Sequence, residues 1–193
     1  AMQDVRYWYG SPAARAAQDA ANAAAAAQAD RTLAEAWQSR RAYPLVVTQG
    51  DGNLGVKGKN FEMLFSIAGA GPASLKVNGT EWLWRAPRPA FWRASTDNDR
   101  GCGFPLRAAA WMAADVFVTY NGMKVLEAGP DCVKVQFQFG IPTVPGASAE
   151  LVYTVEAQGA LRVDAVYHGV PGAPELPCFG IKFETAAPVV RTR

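Results

Sequence analysis

The spacing of apolar residues changes character near residue 44. From 12 to 42 the chain is mostly Ala, broken by Arg, Gln, Asp and Glu, a composition of high helix propensity and little apolar bulk. Ser11 followed by Pro12 predicts the helix start, because a serine oxygen caps free amides and proline tolerates the first helical position. Tyr43-Pro44 predicts the stop. Leu33 and Trp37 lie four apart and share a face, but almost nothing large and apolar precedes them. One helix, or two with a break, is expected over 12–41, serving as a spacer because an apolar stripe supplies most helix stability in proteins. Ala1 before Met2 resembles the scar of an expression tag.

From Leu45 onward the period becomes two. Val133, Val135, Phe137 and Phe139 alternate with Lys134, Gln136 and Gln138, which puts the apolar set on one face of a strand. Segments 151–155, 161–167 and 179–183 repeat the pattern less strictly, and 54–56 and 61–65 add two more. Asn78-Gly79 and Asn121-Gly122 sit between apolar runs and tolerate the positive φ of tight hairpin turns. The first predicts that Leu75–Val77 pairs with Glu81–Trp84, the second that Val116–Tyr120 pairs with Met123–Glu127. About nine strands result, enough for stacked antiparallel sheets. The expected organisation is an Ala-rich helical extension over 1–43 and a mainly β domain, an antiparallel β-sandwich, over 44–193.

Composition narrows the function classes. With 193 residues, 50% of them hydrophobic and 19% charged, a packed core is within reach. Nineteen Lys and Arg against 17 Asp and Glu are scattered rather than gathered, so no phosphate-tracking surface is indicated and nucleic acid is a poor partner. No apolar run reaches the length of a membrane helix, so no membrane association is expected either. Cys102, Cys132 and Cys178 fit neither a disulfide framework nor a zinc knuckle, which favours a reducing compartment such as the cytoplasm.

The densest polar and aromatic constellation runs from Trp82 to Gly103. Flat rings can cover the apolar face of a pyranose while carboxylate, amide and guanidinium groups bond its hydroxyls, so Trp82, Trp84 and Trp92 are candidate stacking platforms. The structural alternative is that the tryptophans are core and that Asp97-Asn98-Asp99 caps a turn. Asp97 and Asp99 supply too few oxygens for a calcium or magnesium cage, so no metal site is assigned. His168, the single histidine, has no partner identifiable in sequence and reads as a surface residue. The glutamates at 62, 81, 127, 150, 156, 175 and 184 lie in strands or beside turns, where solvated surface is the default.

The run Phe91-Trp92-Arg93-Ala94-Ser95-Thr96-Asp97-Asn98-Asp99-Arg100-Gly101 resembles the Trp-Arg-Ala-Pro-Thr-Asp-Asn-Asp-x-Gly signature of the C-terminal small-chain domain of β-galactosidases related to the bacterial lacZ enzyme, in glycoside hydrolase family 2. Residues 54–61, 75–79, 88–92, 159–163 and 175–181 resemble further segments of that domain, so the likeness covers about Tyr43 to Thr185. Ser95 stands where the family usually has Pro, and Cys178 where it has Arg. The family's following Gly-Arg-Gly-Pro-x-Glu segment has no counterpart before Arg193, so the expectation is the first part of the domain only.

The resemblance implies a supersandwich like that of galactose mutarotase, attached in the parent enzyme to a catalytic barrel. Retaining hydrolysis of a β-galactoside needs two carboxylates about 5 Å apart, and the family's pair lies outside the matched region, so no catalytic residue is expected here. By position Gly101 becomes a hinge and Cys102–Arg107 a loop at the edge of the substrate pocket, with Arg93, Asp97, Asn98 and Asp99 fixing its base. The candidate substrate-loop residues are therefore Trp92, Arg93, Asp97, Asn98, Asp99 and Gly101. Expected partners are a galactoside or other carbohydrate, a catalytic barrel as domain or subunit, and further copies of the chain in a homo-oligomer. No cofactor is expected in this chain, although the parent enzyme can use a divalent cation. Two rival readings are a free-standing carbohydrate-binding module and a self-associating structural protein.

Overall fold

The computed structural model of the chain describes residues 42–186 continuously, together with helical positions scattered between 13 and 35. The chain divides into two units, Ala1–Arg41 and Ala42–Arg193. In the first, the described positions are helical and exposed. The Thr32 hydroxyl donates to the Gln28 carbonyl one turn back at 2.9 Å, and Arg31 donates to the Gln28 side chain at 3.0 Å. The Ser11-Pro12 start and the Leu33/Trp37 pair lie outside the described residues.

The second unit is mainly β, with eleven strands among its described residues. Strands β1 (Val46–Gln49), β2 (Asn53–Lys57), β3 (Phe61–Ser66), β4 (Gly71–Val77) and β5 (Thr80–Glu81) form one antiparallel sheet in that order. Strands β7 (Thr119–Ala128), β8 (Cys132–Gly140), β9 (Ser148–Glu156) and β10 (Leu161–His168) form a second antiparallel meander. A two-stranded ribbon pairs β6 (Leu83–Ala90) with β11 (Gly180–Thr185). No sheet closes into a barrel.

Alternation of apolar residues explains the stacking. Leu54, Val56, Met63 and Phe65 line one inner face, and Val133, Val135, Phe137, Phe139, Leu151, Tyr153 and Val155 line the other. They meet through Phe65, whose ring centroid lies 6.1 Å from that of Phe137 and 5.7 Å from that of Tyr153. The result is the β-sandwich expected from the period-two pattern.

The first predicted hairpin forms as expected: Asn78 and Gly79 take φ of 50° and 80°, and Val77 pairs with Thr80. The predicted strand 81–84 is nevertheless broken after Glu81. The Glu81 carboxylate accepts from the amides of Leu75, Trp82 and Leu83 and from the Ser74 hydroxyl, at 2.9, 3.1, 3.0 and 2.5 Å. That capture turns the chain out of the first sheet and into β6, so Glu81 is a structural anchor rather than the solvated glutamate expected. Burial pushes its pKa up, yet the four hydrogen bonds together leave it below the usual value.

The second predicted hairpin is absent. Ala109–Phe117 is a helix, and 119–128 is one continuous strand in which Asn121 is the extra residue of a bulge between the pairs Tyr120↔Phe139 and Gly122↔Gln138. Gly140 faces this bulge: a Cβ there would lie 2.8 Å from Thr119 Oγ1 and 3.0 Å from Asn121 Nδ2. The helix wins over 109–117 because Ala108, Trp111 and Ala114 recur at helical spacing and are buried together, while Val116 and Phe117 stay exposed.

Two substitutions separate packing from polar strain in this core. Trp111 is fully buried, so Trp111→Ala is expected to lower the unfolding free energy by about 3–5 kcal/mol in a denaturant titration. The Tyr153 hydroxyl is buried without a hydrogen-bond partner, and burial drives its pKa far up. Tyr153→Phe is therefore expected to raise stability by up to about 1 kcal/mol in the same titration; a loss of that size would contradict this reading of the core.

Candidate functional site

The signature Phe91–Gly101 follows β6 directly. Phe91 enters the core fully buried, and its amide donates to Asp115 Oδ1 at 2.8 Å, which ties the signature to the 109–117 helix. The ring lies 5.8 Å from Trp111, 5.8 Å from Phe179 and 6.3 Å from Tyr167. Trp111 in turn donates from Nε1 to the Pro174 carbonyl at 3.0 Å. Trp92 is partly buried and packs against the same core.

Beyond Trp92 the chain forms a short helix, Asp97–Gly101, capped by Thr96. The Thr96 hydroxyl accepts from the Asp99 amide at 3.2 Å, and Asp99 Oδ2 accepts from the Thr96 amide at 2.8 Å, a reciprocal capping box. Arg93 grips the same carboxylate with both terminal nitrogens, at 2.6 and 3.2 Å, and also donates to the Ala94 carbonyl at 3.1 Å. The Arg93 hydrogen bond, ahead of that from the Thr96 backbone, holds the Asp99 carboxyl far below the usual carboxylate range. Arg93 is reciprocally raised.

The other candidates are arranged around this clamp. Asp97 is paired with Arg100 at 3.2 Å, and Asn98 is exposed in the first turn, its carbonyl accepting from the Cys102 amide at 3.1 Å. Gly101 closes the helix with open space where a Cβ would stand. The residue with left-handed backbone is instead Gly103, φ 68°, which begins the helical turn Phe104–Arg107. The Arg107 guanidinium folds back to donate to the Cys102 carbonyl. The structure therefore joins Arg93 and Asp99 in one clamp, pairs Asp97 with Arg100 at the surface, leaves Asn98 and Gly101 exposed, and sets Trp92 on the core side.

Beyond Glu81, sequence reasoning missed two features. His168 has a partner after all: its Nε2 lies 3.4 Å from Glu150 Oε1, and Glu150 also accepts from Gln136 Nε2 at 2.6 Å. Their positions on β10, β9 and β8 could be read only once strand register was known. Asp115 carried no motif, yet it fixes the Phe91 amide. Cys178, already singled out in sequence, has its thiol pushed up by burial and by the Asp115 charge, with Arg93 opposing.

Comparison with known proteins decides the family. Residues 57–192 match the family described as Beta galactosidase small chain. The chain belongs to that family. It is 40% identical to a β-galactosidase small subunit of Latilactobacillus sakei over 166 residues, covering 76% of this chain and 52% of that protein. It is 37% identical to a β-galactosidase of Clostridium acetobutylicum and 36% identical to one of Streptococcus thermophilus. Those matches cover 73% and 72% of this chain but 16% and 14% of the relatives. The chain thus spans about half of the small-subunit relative and a small part of the long ones.

Two measurements test the braced loop of this small-chain domain. Asp99 has a depressed folded pKa, so its contribution to stability is complete above the unfolded carboxylate value of about 3.9 and is lost as pH falls toward the folded value. The gap in thermal midpoint between wild type and Asp99→Asn should be widest near neutral pH and shrink below about pH 4; a gap constant with pH would contradict the clamp. Gly103→Ala should cost about 1 kcal/mol because its φ is left-handed, whereas Gly101→Ala should be neutral or stabilising by about 0.5–1 kcal/mol within the helix. Chemical denaturation of the two variants decides between these expectations.

Proposed function

We propose that this chain is a non-catalytic β-sandwich segment of a β-galactosidase of glycoside hydrolase family 2. In this reading it supports hydrolysis of terminal β-D-galactosides by a catalytic barrel on another domain or subunit, and it lends the loop at Gly101–Arg107 to the edge of the active site. The observation that carries the reading is the commitment of the signature's charges to one another. Arg93 and Asp99 saturate each other bidentately and Asp97 holds Arg100, so these groups set the shape of the loop base and leave exposed Asn98 and the helical turns after Gly101 to face a substrate or partner.

Five further carboxylates follow the same logic. Glu62, Glu127 and Asp164 pair with Lys57, Lys134 and Arg162 at 2.6, 3.2 and 2.6 Å. Glu81 is consumed by amides, and Asp115 by Phe91. A retaining hydrolase needs one carboxylate free to attack and one poised to donate, and none of these is placed for either task. All three cysteines are free thiols, which fits action in the cytoplasm.

The test is reconstitution with a chromogenic β-galactoside. The purified chain alone is expected to show no turnover, and a catalytic galactosidase chain prepared without its small subunit is expected to gain activity when this chain is added. Turnover by the chain alone, abolished by a substitution within it, would overturn the proposal, as would a catalytic chain indifferent to its addition.

A further inference from the structure

Away from the loop, an open cleft of about 530 Å³ lies where the β6–β11 ribbon meets the β3–β4 turn, and Trp84, Arg88, Lys182 and Phe183 line it with Asp115 and Glu184. Its construction is unusual in two ways. The register of the ribbon slips twice within a few residues: Lys182 pairs with Arg88, Glu184 with Arg85 and Thr185 with Leu83. The second slip makes Trp84 an extra residue on β6, and a bulge of this kind re-aims the side chain it carries. Trp84 is 68% exposed and Phe183 65% exposed, so the ribbon places two large rings in solvent.

The second feature is charge. Arg88 and Lys182 stand directly opposite each other on neighbouring strands, an arrangement that destabilises an antiparallel pair. Neither has an ion-pair partner among the described residues. Glu184 serves Arg85 at 3.7 Å, and Asp115 Oδ1 accepts from the Phe91 amide. Arg85, Arg88 and Lys182 line the cleft against Asp115 and Glu184, so the lining carries a surplus of positive charge beside two exposed rings.

We propose that the Trp84–Phe183 cleft is an interface for an acidic segment of the catalytic chain, seated with an apolar side chain against the two rings and carboxylates against Arg88 and Lys182. This rests on the reading of the protein as the support of a separate catalytic chain or domain. Charge selects the occupant. A second copy docking by a twofold axis through this face would bring the Arg88/Lys182 pair against its own image, a like-charge juxtaposition that disfavours it. A neutral galactoside could stack on Trp84, but its hydroxyls would leave both cations unneutralised. An acidic protein segment answers the rings and the cations together, and exposed Trp and Arg are the residue types that anchor such contacts.

The experiment measures binding of the full chain to a catalytic β-galactosidase chain prepared without its small subunit, by calorimetry at low and high salt. Wild type is expected to bind, more weakly at high salt. Trp84→Ala and the double variant Arg88→Glu/Lys182→Glu are each expected to weaken binding tenfold or more, the double variant also losing its salt dependence, with circular dichroism melts unchanged from wild type. Both variants binding like wild type would overturn this interface and leave the supporting function standing. Failure of wild type itself to bind would overturn both. Sedimentation of wild type as a dimer that Trp84→Ala dissolves, or saturable tryptophan quenching by galactose that the same variant abolishes, would overturn it in favour of a second copy or a sugar.

Discussion

Everything around the signature depends on one packing contact, the Phe91 ring set against Trp111 with Tyr167 and Phe179 closing the cluster. These four residues come from the end of β6, the 109–117 helix, β10 and the approach to β11. Each ring is therefore the point where a different element is fixed to the others. Aromatic rings remove large areas from water, and offset or edge contacts add directional preference beyond that area. This cluster, with buried Phe104, Ala108 and Ala114, holds the short helices between Gly101 and Phe117 against the sandwich.

The polar groups then act on a frame already built. Arg93 leaves the core immediately after Trp92 and finds Asp99 six residues on, while Thr96 and Asp99 cap the intervening turn. Most of this site lies near water, where a lone ion pair contributes little. Its strength comes from geometry, because one carboxylate serves a bidentate guanidinium and a backbone amide at once. Such a base fixes where the following helical turns begin while leaving them few buried anchors: in Phe104–Arg107 only Phe104 is buried.

Most of the sheet architecture was legible in the sequence because period-two alternation is explicit in 133–139 and its neighbours, and because Asn78-Gly79 specifies a turn whatever surrounds it. Asn121-Gly122 misled for a physical reason. The same dipeptide that closes a hairpin also accommodates a bulge, and the choice was made by Trp111 and Ala114, whose helical spacing pulled the preceding segment out of the sheet. In the site, Arg93, Asp97 and Asp99 could be found from the resemblance and from cap chemistry. Asp115 and the His168–Glu150 pair could not, since each acts between elements far apart in sequence, and Glu81 could not because its local capture of amides breaks the alternation that the predicted strand relied on. Trp84 was visible as a ring, but its exposure depends on a register slip that no local pattern announces.

In this protein a rigid aromatic frame presents a less anchored loop. Amide hydrogen exchange, resolved residue by residue, tests this most directly. The amides of Phe91 and Trp111 should exchange only through global unfolding, while those from Cys102 to Arg107 should exchange through local opening, faster by about a hundredfold or more. Equal protection across 91–111 would contradict the account, because the loop would then be part of the frame. Fast exchange at Phe91 would contradict it more deeply, because the frame itself would be open.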